Sequence, residues 1–116
     1  MSDQPDQPTA GAYAHGFARV AAVTVPVSVA DPATNARTIL DAARELHGDH
    51  VAVAVFPELS LTGYAIDDLV LQDVLLEAVA DAVETLVAAS FDLMPVLVVG
   101  APLQHGNRLY NCAVVI

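Results

Sequence analysis

No lysine occurs among the 116 residues, and the basic residues number four, all arginine: Arg19, Arg37, Arg44 and Arg108. Against 14 acidic residues they leave a formal net charge of −10. Phosphate backbones and anionic lipid surfaces are held by clustered basic surface, so the charge argues against nucleic acid and membrane as partners. One cysteine, Cys112, allows no internal disulfide and fits a reducing compartment. No apolar run approaches the roughly 18 residues that cross a bilayer. The start, Met1-Ser2-Asp3-Gln4-Pro5-Asp6, is polar and acidic, the wrong composition for a secretory signal. These absences together point to the cytoplasm. Repeats are missing too, as are a Gly-x-Ser-x-Gly elbow, a Gly-x-Gly-x-x-Gly turn and a P-loop.

Apolar residues make up 55% of the chain and charged residues 16%, enough apolar material for the core of one small α/β domain. Residues 1–16 carry Gln, Pro, Asp, Thr and Gly without periodicity and read as a flexible leader. Residues 17–25 read as a first strand. Asp31 then supplies an N-cap and Pro32 a first helical position. Ala36, Ile39, Leu40, Ala43 and Leu46 follow at helical spacing, with Gly48 as the expected C-terminal cap.

The next run, Val51-Ala52-Val53-Ala54-Val55-Phe56, is continuously apolar and stops at Pro57. Such a run reads as a parallel strand buried on both faces. Pro57 lacks an N–H and ends the ladder, which delivers Glu58 to the carboxyl end of a strand, where open α/β sheets place ligand sites. Flanked by Phe56, Leu59 and Leu61, that carboxylate is expected to be partly desolvated, a setting suited to general acid–base work. The plainer alternative is a glutamate that caps a loop or faces solvent.

Asp67-Asp68 opens a second helical region. The pair could be taken for a magnesium site, but acidic residues at a helix start more commonly serve its dipole and free N–H groups. Leu71, Leu75, Val79, Val83, Leu86 and Val87 make an apolar stripe that runs to about Ser90. Residues 96–100, Val-Leu-Val-Val-Gly, read as a third strand and residues 109–116 as a fourth. The short turn Gln104-His105-Gly106-Asn107 between them predicts antiparallel pairing and a mixed sheet. Ending on the apolar run Val114-Val115-Ile116, the chain reads as the front part of something longer. Cys112 sits mid-strand without a flanking basic residue and reads as inert core. His47 and His50 flank Gly48-Asp49 and read as solvated surface.

Phe56-Pro57-Glu58-Leu59-Ser60-Leu61-Thr62-Gly63-Tyr64 resembles the signature around the first catalytic residue of the nitrilase (carbon–nitrogen hydrolase) superfamily. The order of elements is similar as well, including a Val-rich strand ending in Gly100 and a strand carrying Tyr110-Asn111. Within that superfamily, residues 63–72 resemble the glutaminase domain of glutamine-dependent NAD+ synthetases. The stretch His15-Gly16-Phe17-Ala18-Arg19-Val20-Ala21 looks like its actinobacterial branch.

That resemblance implies a partial nitrilase-like α/β sandwich. Residues 17–116 would be the N-terminal part of a glutaminase domain, cut short at its C-terminal end. In the family this domain hydrolyses glutamine and passes ammonia to a C-terminal synthetase domain, which uses ATP and Mg2+ to amidate deamido-NAD+; the full-length enzyme is expected to be a homo-oligomer. The family's glutaminase triad is Glu, Lys and Cys in chain order. Only the first carries over, onto Glu58. The chain has no lysine, and Cys112 falls where the family has a small core residue. Tyr64 is expected to line the glutamine pocket. Two alternatives stay open: part of a stand-alone amidase or carbamoylase, and a non-catalytic α/β interaction fragment.

Overall fold

The helix start at Asp31-Pro32 is realised in the computed structural model, which describes residues 8–66 and 73–116. The elements in chain order are α1 (Pro8–Ala14), β1 (Val20–Ala22), α2 (Pro32–Gly48), β2 (Val53–Val55), α3 (Asp73–Ser90), β3 (Val96–His105) and β4 (Arg108–Val115). Asp31 accepts from the Thr34 N–H at 3.2 Å. Hydrogen bonds from the side chain and backbone of Thr34 hold the Asp31 carboxyl below its ordinary value. The capping contribution is therefore present at neutral pH and is lost as pH falls through that lowered value.

Gly48 proves to be the last helical residue of α2. The left-handed position falls instead on His50, with φ at 60°, and the Val51 N–H returns to the Leu46 carbonyl at 3.0 Å. His47 is exposed, yet its Nδ1 accepts from the Met94 N–H at 2.9 Å and ties α2 to the chain entering β3. Within the stretch read as a leader, residues 8–14 are helical. Alanine at positions 10, 12 and 14 favours that state. The Tyr13 hydroxyl anchors its end, donating to the His50 carbonyl at 2.6 Å. The expected helix start at Asp67-Asp68, and Leu71 at the head of the apolar stripe, lie outside the described residues.

The four strands form one sheet in the order β1-β2-β3-β4, parallel across the first two pairs and antiparallel across the last. The sheet is mixed, as the short turn predicts. Gly106, at φ 61°, opens the two-residue turn between β3 and β4. Both long helices pack on one face. Ala54, Leu97, Val99 and Ala101 meet Ile39, Leu40 and Ala43 of α2 and Val79, Ala82 and Leu86 of α3 in a single core. Val87, placed by periodicity in the α3 stripe, is 42% exposed, and Ala82 takes an inner position instead.

The opposite face overturns one expectation. β2 is parallel to both neighbours but buried on one side only: Ala54 is 0% exposed and Val55 46%. Val20, Val96 and Val115 are exposed on that same outer face. The run is apolar throughout, so periodicity could not reveal that the described helices cover only one side. Since exposed apolar sheet and the β4 edge favour association, the 116-residue chain in isolation should self-associate in a concentration-dependent way. Light scattering across a dilution series checks this; a monodisperse monomer with a sharp cooperative melt would contradict it.

Candidate active site

The site grows from the way β2 ends. The Phe56 N–H donates to the Val98 carbonyl at 2.8 Å, one rung beyond the last paired residues, and Pro57 then offers no donor. The chain turns tightly: the Ser60 N–H returns to the Pro57 carbonyl at 3.1 Å, and the Gly63 N–H to the Leu59 carbonyl at 2.7 Å. Leu59 takes φ of 52°, a left-handed conformation that costs a branched side chain about 1–3 kcal/mol. Surrounding bonds hold it there.

Those bonds run to Gly100. Its N–H donates to the Ser60 hydroxyl at 3.0 Å, and its carbonyl accepts from the Leu61 N–H at 3.0 Å. The alternation of the β3–β4 ladder explains why these groups are available. Leu97 and Ile116 exchange both backbone bonds, at 2.9 and 2.8 Å. Residues 98, 100 and 102 therefore occupy non-hydrogen-bonded pairs with β4 and turn their polar groups towards β2 and the loop. The missing N–H of Pro102 falls on that side, beyond the end of β2, where no ladder bond is lost.

A second clamp comes from Asn35 on α2, which is 1% exposed. Its Nδ2 donates to the carbonyls of Ser28 and Leu61, each at 2.8 Å, while Oδ1 accepts from the Ser28 N–H at 2.8 Å. The Ala30 N–H adds a bond to the Thr62 carbonyl at 2.9 Å. The loops leaving β1 and β2 are thus stitched together from inside.

Glu58 stands on this fixed loop, at the carboxyl end of a parallel strand as the sequence predicts. Desolvation by its apolar neighbours does not follow. Phe56 and Leu61 turn into the core, at 5% and 0% exposed, and Glu58 is left exposed on the outer face. Its carboxylate reaches β4, where Asn111 Nδ2 donates to Oε1. Val55, Val98, Gly100 and Ala113 share with them a cleft of about 280 Å3. Tyr64, 67% exposed, lines an adjoining cleft of about 380 Å3 with Leu59, Ile66, Leu109 and Tyr110. Asn111 lines both. The two residues singled out from sequence therefore occupy neighbouring clefts joined at Asn111.

Asn35, Gly100 and Asn111 carry the geometry without having been assigned a role from sequence. A glycine closing a valine run and an asparagine inside an apolar strand were the available signals. Cys112 is half-buried in β4, paired with the buried Ala101. Among the described residues no three His, Cys, Asp or Glu side chains gather into a metal-binding group, and no helix is long and apolar enough to cross a membrane. Asp67-Asp68 lies outside those residues.

Comparison with known proteins decides the family. Residues 19–116 match the carbon–nitrogen hydrolase family. The chain belongs to that family. It is similar to glutamine-dependent NAD(+) synthetases of Mycobacterium bovis, 61% identical over 105 residues, and of Mycobacterium leprae, 60% identical over 104. The match takes in 90% of this chain but 16% and 15% of those proteins. The carbon–nitrogen hydrolase chain spans, in other words, about one sixth of the curated relatives it matches. A solved glutamine-dependent NAD(+) synthetase from Cytophaga hutchinsonii superposes with a TM-score of 0.78 at 28% identity, over 85% of this chain and 17% of that one. The α/β fold with its mixed sheet is thus the nitrilase-like one found in those enzymes.

The clamp on Gly100 is directly testable. A Cβ built there would lie 2.2 Å from the Leu59 nitrogen and 2.7 Å from the Glu58 carbonyl carbon, both backbone atoms that cannot swing aside. In the full-length protein that contains this chain, Gly100→Ala should lower stability by about 1–3 kcal/mol, the range for overpacking, read as a lower midpoint in urea unfolding. An unchanged midpoint would mean that the loop stands away from β3.

Proposed function

We propose that this chain is the N-terminal part of the glutaminase domain of a glutamine-dependent NAD+ synthetase, with Glu58 as its general acid–base. The observation that carries the reading is the fixed placement of Glu58 at the carboxyl end of β2, in a chain 61% identical to synthetases of that name. Glutamine is the substrate of this part. The synthetase domain, with ATP, Mg2+ and deamido-NAD+, belongs to the remainder of the enzyme, as does assembly into a homo-oligomer. A lone thiol is in keeping with a cytoplasmic setting.

In this reading the Glu58 carboxylate takes the proton of a cysteine thiol supplied from outside these 116 residues. The thiolate adds to the amide carbon of glutamine, and the tetrahedral adduct collapses to a thioester as the C–N bond breaks. Glu58 returns the proton to the departing ammonia, and water then cleaves the thioester. A lysine, also from outside the chain, stabilises the oxyanion.

Because the chain has no lysine and its only cysteine, Cys112, sits in mid-strand opposite Ala101, the isolated 116 residues should release no ammonia from glutamine. Turnover that disappears in Glu58→Gln would contradict this. In the full-length enzyme, Glu58→Gln keeps the shape and removes the base. Glutamine-dependent NAD+ formation should fall by about two orders of magnitude or more, while formation from free ammonia survives. Assaying both nitrogen donors on one preparation separates the cases, since an equal loss with both would make Glu58 a structural residue.

A further inference from the structure

Asn111 is the only side chain among the described residues that hydrogen-bonds to Glu58, and it does so from a different element. We propose that Asn111 is the positioning residue of the Glu58 base, holding Oε1 so that Oε2 is the oxygen presented for proton transfer. The inference rests on the proposed role of Glu58 and adds a residue to it.

Three features of the contact support the assignment. The terminal torsion of a glutamate is broad and roughly two-fold, so a carboxylate on a fixed backbone still rotates unless one oxygen is held. An ionised carboxylate only accepts, so the amide must present Nδ2 to it. That donor carries no titrating proton and acts alike whether the base is waiting or has been used. Asn111 itself cannot drift, because it pairs with Pro102 in the middle of an eight-residue antiparallel register whose other end is closed by the Gly106-Asn107 turn. The base is therefore fixed at both ends, its backbone by Gly100 and its carboxylate by Asn111. Among the described residues Oε2 accepts no hydrogen bond from the protein.

The position of Asn111 also explains why an amide is the fitting group there. It lines the Glu58 cleft and the adjoining cleft of Tyr64 and Tyr110. A lysine or arginine would pair with Glu58 as an ion and oppose its taking a proton. A second carboxylate would repel it. The neutral donor orients the base and leaves its charge available.

The test uses the full-length enzyme containing this chain. Asn111→Leu keeps the volume and removes the donor; Asn111→Asp keeps the shape and replaces donor with acceptor. Both should lower kcat with glutamine by about 10- to 100-fold, the scale of a misplaced catalytic group, with KM for glutamine changed far less. The ammonia-dependent rate and the thermal melt should match the parent in both. The double variant Glu58→Gln with Asn111→Leu should be no slower than Glu58→Gln alone, because a residue acting through the base has nothing left to position. Additive losses, or equal losses with ammonia, would overturn the proposal and make Asn111 a packing residue. Should Glu58→Gln itself leave the glutamine reaction intact, the assignment of Glu58 as the base falls first, and that of Asn111 with it. Normal kcat in both Asn111 variants beside a crippled Glu58→Gln would remove Asn111 alone.

Discussion

The site depends on one close approach: the backbone around Glu58 lies where the side chain of residue 100 would be. With a Cβ at that position the Leu59 nitrogen would be 2.2 Å away. The loop could then not receive the Gly100 N–H on Ser60 or reach the Gly100 carbonyl from Leu61. These bonds make the Glu58 loop an irregular continuation of β2. Phe56 takes the Val98 carbonyl, and Ser60 and Leu61 take Gly100, the next residue on β3 that turns its polar groups to that side. A carboxylate that must meet reacting atoms gains from such a mounting, since reorganisation at the moment of reaction is avoided.

Burial of polar groups supports the same loop from beneath. Asn35, Ser60 and Thr62 are each no more than 1% exposed, and an unsatisfied buried amide or hydroxyl would cost about 1–3 kcal/mol. Each has a partner within the described residues. Asn35 spends its bonds on two loops rather than on its own helix, binding Ser28 after β1 and Leu61 after β2. A leucine would fill the same volume and leave the Ser28 N–H and the Leu61 carbonyl unpaired. Fully satisfied, such a network rigidifies the two loops in one geometry.

Signals confined to a few neighbouring residues were the legible ones. The Asp31-Pro32 start of α2, the end of β2 at Pro57, and the hairpin around Gly106 depend on chemistry within a turn or two, and all three stand in the structure. Signals that depend on distant partners were not legible. An all-apolar strand looks the same whether one face or both are covered, so the exposure of Val55 was invisible. Gly100 reads as the end of a strand, yet β3 continues five residues further because β4 pairs with it throughout. His50 takes the left-handed position that Gly48 was expected to hold, its turn bonded to the α2 end and its carbonyl to Tyr13. The partner of Glu58 lies 53 residues away along the chain, beyond the reach of any local pattern.

The two faces of the sheet divide the work. The inner face carries the core with α2 and α3, and its residues set stability. The outer face carries Glu58, Asn111 and the cleft they share, and there the valines stand exposed. A general base facing bulk water competes with water for every proton it handles, whereas a closed site strengthens each electrostatic contact inside it. Fixing the geometry of the base and closing its surroundings are separable tasks. If Glu58 is the base, as proposed, the first falls to local contacts, Gly100 under the backbone and Asn111 on the carboxylate. Under the proposed reading, the second falls to the same remainder of the enzyme that supplies the thiol and the lysine. Until those partners are present Glu58 stands exposed to water, so in that reading the local contacts supply the geometry of the base and the remainder of the enzyme supplies its dry surroundings.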